Sequence, residues 1–82
     1  MISKEVIQKH LEEIEYKALA CETNINNIEA ILKRINEELE KANKSQIQDL
    51  SVAKDQKEQE LETNKISKQM HEFNIDFLRK KL

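Results

Sequence analysis

The side chains best suited to chemistry in this chain are two histidines, His10 and His71, a single cysteine, Cys21, and 16 acidic residues. A zinc-protease helix carries His-Glu-x-x-His, which sets two imidazoles one turn apart with a carboxylate to act as base. His71-Glu72-Phe73-Asn74-Ile75 begins that pattern, but Ile75 stands where the second imidazole belongs. A di-iron bundle draws Glu-x-x-His from each of two helices. Ile7 and Lys68 occupy the positions three before the histidines, so that motif is missing too. A lone cysteine makes no internal disulfide, and in an apolar row Cys21 reads as a small hydrophobe. The carboxylates follow lysines at helical spacing and read as solvated faces. Paired catalytic acids would need a concave pocket to tune them. The expectation is a non-enzymatic chain with no catalytic, cofactor-binding or metal-binding residue.

The elements that must position these side chains follow from what the chain lacks. It has no glycine and no proline, where average usage of about 12% would give about ten. This excludes a glycine-rich phosphate loop, a dinucleotide fingerprint and tight hairpin turns built on Asn-Gly. The expected class is all-α. Net charge is −2, so there is no clustered positive charge of the kind that neutralises nucleic-acid phosphates. The basic run Arg79-Lys80-Lys81 reads as a complement to a helix C-terminal dipole. The longest uninterrupted apolar run, Ala18-Leu19-Ala20-Cys21, is far too short to span a membrane. Charges throughout the first 20 residues argue against a secretory signal. The expected location is intracellular, in the cytoplasm.

Ser3 is placed to cap a first helix, with Glu5 in its first turn and Ile2 and Ile7 as a hydrophobic staple. A spacing of alternate threes and fours then runs for six heptads. Leu11, Ala18, Ile25, Leu32 and Leu39 fall at a; Ile7, Ile14, Cys21, Ile28, Ile35 and Ala42 fall at d. Such a row, with Glu15, Glu22 and Glu29 at e, defines a coiled-coil seam. Isoleucine at d with leucine at a disfavours a parallel two-stranded zipper and favours three or four helices. Ile31, Leu19 and Ala20 widen the apolar face, which also suits a bundle.

The register fails at Gln46 and Asp49. Between them and Leu39, Asn43 tolerates the left-handed conformation that ends helices, and Ser45 with Gln48 has the spacing of a capping box. Helix 1 is expected over about 3–42, a turn over 43–45 and helix 2 over about 46–81. Folded antiparallel about that turn, Leu39 faces Leu50, Ile28 faces Leu61, Leu19 faces Met70, Tyr16 faces Phe73, Ile14 faces Ile75, Leu11 faces Leu78 and Ile7 faces Leu82. Leu32 opposite Lys57 and Ile25 opposite Asn64 are the mismatches. The competing architecture is one continuous helix of roughly 120 Å, at 1.5 Å per residue, in a parallel coiled coil. A parallel assembly would bring Cys21 copies together; an antiparallel one would separate them.

Residues 54–60 are polar throughout and read as solvated helix. Beyond them Ile66, Met70, Phe73 and Phe77 form one apolar stripe, with Ile75, Leu78 and Leu82 beside it. The stripe reads first as ordinary core and second as a binding patch. Little core fits in one 82-residue chain, so oligomerisation or a partner is expected to complete it. The leading expectation is a structural module that self-associates, as a dimer of hairpins forming a four-helix bundle or as a trimer or tetramer. Its interface would comprise Ile7, Leu11, Ile14, Ile25, Ile28, Leu32, Ile35 and Leu39, with Met70, Phe73 and Phe77. Alternatives are the coiled-coil arm of a larger ATP-driven machine and a subunit of a hetero-oligomeric tether.

Overall fold

Ser3 starts the first helix as its side chain predicts: the hydroxyl oxygen accepts the Val6 N–H at 3.3 Å. The computed structural model describes residues 3–82, so the Ile2 half of the expected staple lies outside the described residues. Helix α1 (Lys4–Lys41) runs 38 residues, and α2 (Lys44–Arg79) runs 36. The two pack side by side as an antiparallel hairpin with extents of 63 × 14 × 13 Å. A continuous helix of this length would be about twice as long, so the rod architecture does not occur.

The reversal is tighter than expected. Only Ala42 and Asn43 separate the helices, both in extended conformations (φ −73°, ψ 144° and φ −84°, ψ 173°). Asn43 is therefore not left-handed, and no described residue has a positive φ. Asn43, not Ser45, caps α2. Its Oδ1 accepts the Gln46 N–H at 3.2 Å, while Gln46 Oε1 accepts the Asn43 N–H at 3.3 Å. Starting the helix at Lys44 lets the Ser45 hydroxyl donate to the same Asn43 Oδ1 at 2.7 Å. The box is thus Asn43–Gln46 rather than Ser45–Gln48. Asn43→Ala is expected to lower stability by about 1 kcal/mol, the usual worth of such a cap; urea unfolding of the two chains measures it.

The seam between the helices is lopsided. Ile7, Leu11, Ile14, Ile25, Ile28 and Ile35 of α1 are buried, but only Ile75 of α2 is. The tightest cluster joins Leu11, Ile14 and Ile75, flanked by Ala18 and Leu78. It lies near the open end, and both Ile14 with Ile75 and Leu11 with Leu78 meet at the levels expected. Elsewhere α2 offers a 3,4 row of half-buried residues: Leu50, Lys54, Lys57, Leu61, Asn64, Lys68 and His71. Lys54 and Lys57 are therefore not simply solvated. Half-burial of such a side chain is the burial of its methylene stem with the ammonium group kept in water. Lys57 Nζ ends 3.1 Å from Glu60 and Lys68 Nζ 3.8 Å from Glu72. Asn64 accepts a hydrogen bond across the seam from the Asn24 amide at 3.4 Å.

Candidate interaction surface

The residues with chemical potential stay apart. His10 is exposed, with Nδ1 3.9 Å from a Glu13 oxygen. His71 is half-buried on the inner face of α2, and Cys21 is half-buried on α1. Among the described residues, no group of three or more His, Cys, Asp or Glu side chains could hold a metal ion. No described helix is long and apolar enough to cross a membrane.

The eleven expected interface residues divide into two sets. Ile7, Leu11, Ile14, Ile25, Ile28 and Ile35 are buried in the hairpin, and Leu32 and Leu39 are half-buried. All eight serve the seam within the chain. Met70, Phe73 and Phe77 do the opposite: they are 62%, 72% and 53% exposed. Ile66, 50% exposed, extends their row, and exposed Val52 continues it two heptads earlier. The expected pairings of Leu19 with Met70 and of Tyr16 with Phe73 do not form across the seam, because all four side chains point outward. The levels match, but the faces do not.

The geometry of α2 explains this. Ile75 and Leu78, stepped back by threes and fours, lead through His71, Lys68, Asn64, Leu61, Lys57 and Lys54 to Leu50. Side chains on that row share the face toward α1. Ile66, Met70, Phe73 and Phe77 obey the same spacing but are displaced by two residues from Lys68, Ile75 and their row. That displacement turns them to the far side of the cylinder. The apolar outer row of α2 is therefore left exposed while its mixed inner row packs on α1.

The row from Ile66 to Phe77 covers about 16 Å of helix. A shallow depression of about 260 Å³ opens between Ile66, Gln69, Met70, Phe73 and Asn74. Lys81 closes one end of the row, its ammonium 4.7 Å from the centre of the Phe77 ring, within the range of a cation–π contact. The side of the hairpin is polar by contrast: the Arg79 guanidinium donates to Glu15 Oε1 at 3.0 Å. Part of the terminal basic run thus ties α2 to α1.

No protein-family model matches the chain, and no curated protein or solved structure matches it at a significant level. The functional reading therefore rests on the surface itself.

Proposed function

We propose that this chain is a non-catalytic helical-hairpin module that holds protein chains together through the outer face of α2. The observation that carries the reading is the Ile66–Met70–Phe73–Phe77 row. Two phenylalanines and a methionine stand half to three-quarters exposed, at coiled-coil spacing, on the face away from the intramolecular seam. Aromatic residues and methionine are enriched at protein interfaces, and contiguous exposed apolar patches on monomers are usually association sites. The α1 seam positions this surface by keeping α2 straight.

A second reading, the coiled-coil arm of a larger ATP-driven machine, draws support from one feature. Leu82 shares a depression with Lys4 and Glu5, so the start of α1 and the last described residue lie together at the open end of the hairpin, as an inserted arm requires. Light scattering on the size-fractionated chain tests the first reading. At about 50–100 µM, well above the micromolar affinities of modest interfaces, the mass is expected to be a multiple of the 9.7 kDa chain. A monomer that melts cooperatively at all concentrations would overturn self-association as the purpose of the module.

A further inference from the structure

We infer that the occupant of the outer stripe is a second copy of this chain, laid antiparallel so that a two-fold axis passes between residues 71 and 72. The inference rests on the assembly reading above and names its partner. A two-fold interface must be self-complementary, each residue meeting the counterpart of its own partner. About this axis Ile66 meets Phe77 and Met70 meets Phe73, so every layer joins one aromatic ring to one aliphatic side chain. Along one flank Ser67 meets Asn74, and beyond it Glu60 meets Lys81 with opposite charge. Along the other flank Gln69 meets Asp76. The border of the apolar layers thus sets no two like charges against each other, and the charges at its end attract.

The parallel alternative is the weaker on balance, although it would set Asp76 beside Lys81 of the other chain. It would set Lys80, which continues the row beyond Phe77, against its own copy, and Asp55 beside Glu60 of the other chain. The antiparallel register sets Lys80 against Thr63 instead. Like charges placed directly opposite destabilise a pairing and act as a filter against it.

The area agrees with a dimer of moderate affinity. Taking 150–250 Å² for a whole aromatic side chain, the four residues together offer about 500 Å² of apolar surface. A standard interface buries about 800 Å² per partner. The flanking side chains supply part of the difference and leave a complex at the smaller end of the range. Only the segments from Glu60 onward of the two chains overlap, so the turns of the two hairpins point in opposite directions. Each Cys21 stays on the inner face of its own hairpin, away from the other copy.

Spin labels on the full chain decide the arrangement. Cys21→Ala removes the native thiol, and Glu58→Cys or Glu72→Cys then introduces one label per copy at an exposed site off the stripe. The antiparallel register puts the two residue-58 labels about 40–45 Å apart and the two residue-72 labels about 20 Å apart, at 1.5 Å of rise per residue. Short distances at both sites mean parallel pairing and overturn the inference, as does a long distance at residue 72. If mass and distances both show a lone chain, the inference and the assembly reading fall together. If the chain is dimeric with other distances, only the inference falls.

Discussion

Replacing Ile75 by aspartate is expected to destroy the hairpin. Ile75 is 8% exposed and is the single buried residue that α2 contributes to the seam. It packs with Leu11, itself 4% exposed, and with Ile14 in the tightest cluster of the molecule. Losing a buried isoleucine removes about 1.5–3 kcal/mol of apolar burial. Setting a carboxylate against Leu11 and Ile14 adds a desolvation cost. A total of about 3 kcal/mol or more is large against the few kcal/mol that a core of this size supplies. Circular dichroism should show most of the helical signal and the cooperative melt gone at 25 °C. Retention of both would mean that the α1–α2 seam does not stabilise the fold.

Phe73→Glu, two residues earlier, is expected to leave the hairpin intact and abolish its assembly. Phe73 is 72% exposed and touches nothing that holds α1 to α2. Glutamate is a good helix former, so α2 should keep its length and cap. In the proposed assembly the same residue lies at the centre of the buried face, against Met70 of the other copy. Central aromatic anchors of this kind lose about 2–4 kcal/mol on truncation, and a charge in the apolar layer adds to that. Association should weaken on the order of 100-fold, which corresponds to about 2.7 kcal/mol. Equilibrium sedimentation over a concentration series reads the change directly. The pair Phe73 and Ile75 separates the two faces of one helix. Both are large apolar residues in the same turn; one should govern association and the other folding.

The α1 half of this architecture was legible in the sequence because its heptads are nearly pure. Isoleucine and leucine alternate there at a and d, and the structure buries or half-buries all of the eight such residues expected to form an interface. The level matching between the two halves was also legible, since Ile14 with Ile75 and Leu11 with Leu78 meet as expected. The face of α2 was not. Hydrophobicity alone ranks Ile66, Met70, Phe73 and Phe77 above a row that contains Lys54, Lys57, Asn64, Lys68 and His71. Long lysine stems bury much as aliphatic side chains do while their charges stay wet, so the polar row packs against α1. The richer row is left to face outward. What would have revealed this is the longer register: Leu50, Leu61, Ile75 and Leu78 fall on one 3,4 row along the helix, whereas the stripe has apolar residues only at Val52 and from Ile66 onward.

The turn shows the same limit on a smaller scale. Asn43 with Gln46 and Ser45 with Gln48 both have capping spacing. The choice falls on the earlier pair because it satisfies two backbone N–H groups and also gives the Ser45 hydroxyl an acceptor. An extended Ala42-Asn43 link then reverses the chain without glycine. In the proposed assembly the two faces of α2 divide the work between folding and association.

The most direct test of that division is the solution mass of the unaltered chain and of Phe73→Glu, measured side by side by light scattering at the same concentration and with helical content recorded for both. The expected result is equal helicity, twice the 9.7 kDa chain mass for the unaltered protein and a single chain mass for the variant. Equal masses for the two proteins would contradict the assignment of the α2 outer stripe as the surface that joins them.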